Sequence, residues 1–345
     1  MSNVTVIFRT VAGLETGGGH LMRCTALGYA LKDKGCDVEF SVNKKAPNFV
    51  PLVKEFSYRE ESQQEFLSAV RMGKRDHNVL IVDDYGWDMD NDKECRQAFP
   101  HMVALDDLAN RRRDVDLLID SNLNREVQHY RHLLPNTSII LTGTKYAMLR
   151  PEFRTERCSA LKLRAGMKGL KTILLTLGLG NNVTPLNDVM QALRDLPKNI
   201  AIHVVSGQTG TLDTIQRDKR FRFYGYVTDM VSLMKKADVC IGAGGSSSWE
   251  RCCLGLPSIQ IVLAENQQFI AQQLEYAGAT ITLDYKATGF SKCLNKVLSR
   301  LIHEPNELRQ MSLAAAAVCD GAGADRSATA IIKLTKPSQR LIHHG

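Results

Sequence analysis

The sequence predicts an α/β protein of two Rossmann-like domains whose parallel sheets face each other across a cleft. Short β-rich runs alternate with helical stretches along the chain, which is the pattern of parallel α/β architecture. The alternation occurs twice, with a break after Tyr146-Ala147-Met148-Leu149-Arg150-Pro151. Several predicted strands also end in glycine or polar clusters, and open parallel sheets bind ligands beyond those ends. With 345 residues the chain has room for two domains, each of about 150 residues.

In order, strands are predicted over residues 4–8, 37–42, 79–82, 102–105, 117–119 and 139–141, with helices over 21–34 and 63–71. The strand ends Asp83-Asp84-Tyr85-Gly86, Asp106-Asp107 and Asp120-Ser121-Asn122 are expected to share one cleft. Residues 154–171, basic and holding Gly166 and Gly169, read as a linker and lead-in. A second series follows, with strands over 172–177, 200–205, 221–224, 239–242 and 258–263 and helices over 313–318 and 328–334. The loop Gly178-Leu179-Gly180-Asn181-Asn182 ends its first strand, and Ser206-Gly207 makes a turn. The expected division is 1–153, 154–334 and a tail over 335–345.

The composition, 44% hydrophobic and 23% charged, is that of an ordinary globular protein. No apolar run nears the roughly 20 residues of a membrane span, so no membrane insertion is expected. The N-terminus lacks a basic segment followed by an apolar one, so no signal peptide is expected. The nine cysteines include no C-x-x-C pair, and the adjacent Cys252 and Cys253 read as buried and reduced. A cytoplasmic protein is expected. The net charge of +7 is dispersed. The single basic run, Arg111-Arg112-Arg113, leads into Asp114 and Asp116, so a solvated turn fits it better than a nucleic-acid patch. A positive balance also suits an anionic small substrate such as a nucleotide sugar.

The most informative local feature is Gly17-Gly18-Gly19-His20, between the first strand and a helix carrying Leu21, Thr25, Gly28 and Leu31. Three glycines let the backbone approach a ligand closely and turn into the helix. The free N–H groups of that helix start point the same way and can hold a phosphate or sugar oxygen. The positive end of the helix dipole disfavours imidazolium, so His20 is expected to be neutral and able to accept a proton.

A second cluster, Gly242-Ala243-Gly244-Gly245-Ser246-Ser247-Ser248, follows another strand. A helix starting near Ser247 aims N–H groups and hydroxyls at a diphosphate, and Glu250 on its first turn reaches ribose hydroxyls. Leu254-Gly255-Leu256-Pro257 ends that helix. Ala264-Glu265-Asn266-Gln267-Gln268 is either a ribose or sugar contact or a plain helix cap.

Neither cluster fits G-x-G-x-x-G, because Met22 and Ser247 take the third glycine's place. With Asn43 following Val42 there is also no acidic end to the second strand, which disfavours a nicotinamide or flavin dinucleotide. No P-loop is present, and Gly244 to Ser248 do not spell an esterase elbow. Adjacent aspartates on an extended segment point oppositely, so Asp83-Asp84 and Asp106-Asp107 each offer one ligand at most and no metal is expected. Asp83 or Tyr85 is better read as a cleft residue, and His129 and His132 as surface residues.

Taken together, these residues resemble the UDP-2,4-diacetamido-2,4,6-trideoxy-β-L-altropyranose hydrolases of pseudaminic acid biosynthesis. The similarity runs from the first strand to about residue 330. It is carried by Gly18-Gly19-His20-Leu21-Met22-Arg23-Cys24, Val82-Asp83-Asp84-Tyr85-Gly86, Asp106-Asp107-Leu108-Ala109 and Gly143-Thr144-Lys145-Tyr146-Ala147-Met148-Leu149-Arg150. The cluster starting at Gly242, Glu265-Asn266-Gln267 and Asp320-Gly321-Ala322-Gly323-Ala324 complete it. The resemblance implies a GT-B fold similar to the N-acetylglucosaminyltransferase that makes lipid II. UDP would then lie mainly on the second domain and the sugar would face the first. It implies His20 as the base that activates water, with Tyr85 and Asn266 near the sugar. Gly244, Gly245, Ser246 and Ser247 would hold the diphosphate, and Glu250 the ribose.

The chain departs from the family at Thr176-Leu177-Gly178-Leu179-Gly180-Asn181, where a Gly-Gly pair followed by Asp or a similar residue is expected. The implied reaction is metal-independent, inverting hydrolysis of a UDP-sugar without a cofactor. Gly17, Gly18 and Gly19 would leave room for sugar and water, Glu265 would contact the nucleotide side, and Arg23 would either approach the phosphates or brace the loop. The competing readings are a GT-B glycosyltransferase using the same nucleotide site, and a nucleotide-sugar-binding regulator without catalysis.

Overall fold

The computed structural model describes residues 3–207 and 218–336. Of the tail expected over 335–345, residues 337–345 lie outside the described part. The first sheet consists of β1 (Thr5–Thr10), β2 (Asp37–Val42), β3 (Ser57–Glu60), β4 (Val79–Asp83), β5 (His101–Leu105), β6 (Leu117–Asp120) and β7 (Ile139–Thr142). Its order is β3-β2-β1-β4-β5-β6-β7, with every pairing parallel. The second sheet consists of β8 (Thr172–Thr176), β9 (Ala201–Val205), β10 (Phe221–Tyr224), β11 (Val239–Ala243), β12 (Ser258–Val262) and β13 (Thr280–Asp284). These run β10-β9-β8-β11-β12-β13, again all parallel. Central strands such as Val-Leu-Ile-Val-Asp (β4) are buried along their whole length, as sheets covered on both faces require.

The helices follow as α1 (Gly19–Asp33), α2 (Ala46–Phe49), α3 (Gln63–Arg71), α4 (Met89–Cys95), α5 (Pro151–Ala165) and α6 (Val183–Leu193). The second half adds α7 (Met230–Lys236), α8 (Ser247–Cys253), α9 (Gln268–Tyr276), α10 (Phe290–His303), α11 (Pro305–Val318) and α12 (Gly323–Leu334). None of the described helices is long and apolar enough to cross a membrane.

In each sheet the strand order reverses once, between β1 and β4 and between β8 and β11. Ligand crevices of open α/β sheets form at such reversals, outside the carboxyl ends of the strands. The loops that leave β1, β4, β8 and β11 carry Gly17 to Gly19, Asp84-Tyr85, Gly178 to Asn182 and Gly244-Gly245. The topology therefore brings all four motifs to one place.

Three expectations need correction. Residues 154–171 are mostly not a linker, because α5 takes up 151–165, with Pro151 preset at its first turn. Its basic residues cap neighbouring helices: Arg157 donates to the carbonyls of Ala316, Cys253 and Cys319, and Arg164 to those of Met234 and Ala237. The last helix of the expected second domain, α12, packs on the first: Ala324, Ala328 and Ile331 join the core cluster that holds Val6, Phe8 and Leu27. The run at 111–113 is not a solvated turn either. Arg113 is 1% exposed and pairs with Asp92 at 2.8 Å, and Arg111 pairs with Asp106 at 2.9 Å. Cys252 and Cys253 are buried free thiols.

Candidate active site

A cleft of about 710 Å³ lies between the two domains. It is lined from the first domain by Gly17, Gly18, Gly19, His20, Arg23, Tyr85, Asp107, Ser121 and Asn122, and from the second by residues 176–182, 243–247, Glu250 and Asn266. The polar strand ends expected to converge therefore do so. His129 and His132 are exposed and away from it.

α1 starts at Gly19 with Gly18 as its cap residue and no side chain capping it, so its first N–H groups are open to a ligand. His20, 7% exposed, comes next. Its Nδ1 lies 2.6 Å from Asp83 Oδ1 and 3.2 Å from an Arg23 Nη2. A carboxylate and a guanidinium have opposite needs, and only the carboxylate can accept a proton. Nδ1–H therefore donates to Asp83, leaving Nε2 free to accept a proton, as in a His–Asp dyad. The Tyr85 ring stands edge-on to the imidazole, centroids 4.5 Å apart, and fixes it from another side.

Arg23 is one turn further along α1, on the same face as His20. Its Nε and Nη2 grip Asp83 at 2.5 and 2.6 Å, and its Nη1 reaches Asp107 at 2.8 Å. Burial opposes ionisation of Asp83, but Arg23 and then His20 outweigh it and hold the carboxyl well below the usual carboxylate range. Burial, then Asp107, pushes the Tyr85 hydroxyl well above its ordinary value, so it is a proton donor throughout the neutral range. Of the two roles open to Arg23, the geometry matches bracing: its donors go to Asp107 and to Asp83, which holds His20. Asp83, rather than the helix dipole alone, sets the tautomer. Asp84 faces the other way and accepts from the Gly86 N–H at 2.8 Å, as strand alternation requires.

The wall opposite is built around Arg251, 1% exposed, which donates to Ala243 O and to the hydroxyls of Ser247 and Ser248. A Cβ on Gly242 would stand 2.8 Å from that guanidinium, and one on Gly244 would stand 2.6 Å from Gln260 Nε2. These glycines are needed for packing behind the loop, whereas the space over Gly245 is open. α8 begins at Ser247, after Ser246, with no side-chain cap. Burial raises the Glu250 carboxyl to about 7, against the opposing pull of Arg150 and Arg251.

The two glycine motifs nearly touch, since a Cβ on Gly19 would lie 3.3 Å from Ser246 Oγ. The loop after β8 also lines the cleft, although its departure from the expected motif had left its role open. Asn266 lines it as well. Glu265, exposed in the same short turn, is not among the lining residues.

Arg150 and Tyr226 were given no role from sequence. Arg150 is 6% exposed, lines the cleft, and has no partner for its buried Nε. Its only signal was a place in the Gly143 to Arg150 motif. Tyr226, 38% exposed on the cleft rim, carried none.

Two parallel-sheet domains with this cleft between them define the GT-B fold. Over 96% of this chain and 99% of its own, the MurG of Acinetobacter baumannii superposes with a TM-score of 0.67 at 15% identity. The spinosyn forosaminyltransferase SpnP gives 0.67 at 14% identity, over 97% of this chain and 100% of its own. A UDP co-structure of S. aureus MnaA gives 0.65 at 14% identity, over 96% and 97%. Residues 181–326 match the glycosyltransferase family 28 C-terminal domain. Among curated relatives, the spore coat polysaccharide biosynthesis protein SpsG of Bacillus subtilis is 26% identical, covering 79% of this chain and 81% of its own. The UDP-2,4-diacetamido-2,4,6-trideoxy-β-L-altropyranose hydrolase of Campylobacter jejuni is 22% identical, covering 81% and 99%.

Proposed function

We propose that this protein cleaves a UDP-linked amino sugar at its anomeric carbon, with His20 as the base and water as the acceptor. The observation that carries this reading is the His20–Asp83 pair, which opens onto the same cleft as the uncapped start of α8. Nε2 of His20 takes a proton from water as the water oxygen bonds to C1. The C1–O bond to the β-phosphate breaks, and UDP leaves with the bonding pair. A single displacement inverts the anomeric centre.

Backbone N–H groups of Gly244 and Gly245, the hydroxyls of Ser246 and Ser247, and the cation of Arg150 stabilise charge growing on the diphosphate. Glu250 faces the ribose. Gly18, Gly19, Tyr85 and Asn266 shape the sugar side. Arg23 is a positioning residue, acting through Asp83. The substrate class rests on the motif resemblance and on the Campylobacter jejuni relative, which favour UDP-2,4-diacetamido-2,4,6-trideoxy-β-L-altropyranose. The family 28 match favours a second reading, transfer of the sugar to an acceptor from the same nucleotide site.

Incubation with a panel of UDP-sugars and no acceptor, read by mass spectrometry, separates the two. Hydrolysis gives UDP and a free diacetamido trideoxy hexose, whereas a transferase leaves the substrate intact. Arg23 already engages Asp83 and Asp107, so the same release is expected in excess EDTA. Loss of turnover on chelation would contradict the metal-free mechanism.

A further inference from the structure

The loop between β8 and α6 holds a residue that the chemistry above does not use. Leu179 belongs to the second domain, yet its side chain packs on the first, among the residues that cover the core cluster of Leu21 and Val50. Its Cδ1 lies 2.8 Å from the point where a Cβ on Gly18 would stand, and Val50 Cγ2 lies 3.1 Å from that point. A larger residue at position 18 would have to push this leucine methyl aside. Beside it, the Asn181 N–H donates to the Leu14 carbonyl at 3.3 Å, and a Cβ on Gly180 would lie 3.4 Å from the same carbonyl. An apolar plug two residues from His20 and a backbone hydrogen bond to Leu14 thus join the two domains. In this loop a Gly-Gly pair followed by Asp or a similar residue is expected, but position 179 is a leucine.

We propose that Leu179 makes water the acceptor: it closes the cleft beside His20 and admits no nucleophile larger than water to the anomeric carbon. The inference rests on the UDP-sugar cleavage proposed above and adds the determinant of the nucleophile. With Leu179 shortened, an alcohol takes the place of water. Its oxygen bonds to C1, its proton passes to His20 Nε2, the C1–O bond to UDP breaks, and a glycoside forms.

The test uses the full chain and its Leu179→Ala, Leu179→Val and Leu179→Met variants, with UDP-sugar in buffer containing methanol, ethylene glycol or glycerol at molar concentration. UDP release and the ratio of glycoside to free sugar are measured together. Wild type and Leu179→Met are expected to give free sugar. Leu179→Ala is expected to raise the glycoside ratio about tenfold or more, the effect of lifting a barrier of about 1.4 kcal/mol. Leu179→Val should fall between them, which keeps the series readable if the alanine variant folds poorly. Unchanged ratios in Ala and Val variants that still release UDP would reduce Leu179 to a domain contact and overturn the proposal. Glycoside formation by wild type as ready as hydrolysis would overturn it as well. Failure of the underlying reading looks different: wild type would then release no UDP in plain buffer, and water would not be the acceptor at all.

Discussion

At the residue scale, the site depends on how three side chains divide their hydrogen bonds. Asp83 accepts from both His20 and Arg23, so one carboxylate fixes the imidazole tautomer and is itself fixed by a guanidinium. Replacing Asp83 with Asn keeps the shape but turns an acceptor into a mixed group that can donate to Nδ1 and trap the wrong tautomer. Turnover is expected to fall about 10²- to 10⁴-fold with UDP affinity little changed. Kinetics combined with UDP titration check this, and a variant within a few-fold of wild type would show that Asp83 does not act through His20. Glu250 gives a pH signature. Its carboxyl, raised to about 7 chiefly by burial, is protonated in mildly acid solution and would become a stronger, purely accepting partner for the proposed ribose hydroxyls as pH rises. KM for a UDP-sugar should therefore fall from pH 6 towards pH 8, and Glu250→Gln should flatten that limb. His20 and both glycine clusters were legible because each is contiguous in sequence. The His20–Asp83 pair was not, since the partners are 63 residues apart, and only strand alternation decides which of two adjacent aspartates faces the helix. Arg251 was hidden similarly: a lone arginine after a serine run gives no sign that it holds that run from behind.

At the element scale, the central strands and the glycine-led helices could be read from pattern. The edge strands β3 and β13 and several crossovers could not. β3 is exposed at all four positions and has no apolar alternation to reveal it. α5 was read as a linker because it is rich in basic residues, yet two of these, Arg157 and Arg164, serve as caps for other helices, a role fixed only by tertiary packing. α12 looked like the end of the second domain because it follows that domain in sequence. What returns it to the first is close backbone contact: a Cβ on Gly323 would stand 2.2 Å from the Ala147 carbonyl oxygen. Neither backbone can yield cheaply, so Gly323→Ala is expected to cost about 1–3 kcal/mol or more of stability. Urea unfolding measures it, and a loss under 0.5 kcal/mol, about the scatter of a surface change, would mean that α12 does not dock this tightly.

At the scale of the whole molecule, two sheets with matching reversals place four loops around one cleft, and α12 ties the second domain back to the first. On the proposed reading this arrangement puts nucleotide and base on opposite walls, so binding and chemistry should be separable by mutation. In the proposed reaction UDP would meet the Gly244 to Glu250 wall, and His20 would act from the other domain. Charge adds little to this division, since the excess of +7 is spread over the chain and several arginines are used in internal ion pairs. The most direct measurement is UDP release without an acceptor by wild type and His20→Ala, alongside UDP titration of both. The expected result is UDP and free sugar from wild type, and turnover lowered at least about 100-fold in a variant that binds UDP as before. Near-normal release by His20→Ala would contradict the central role of that histidine.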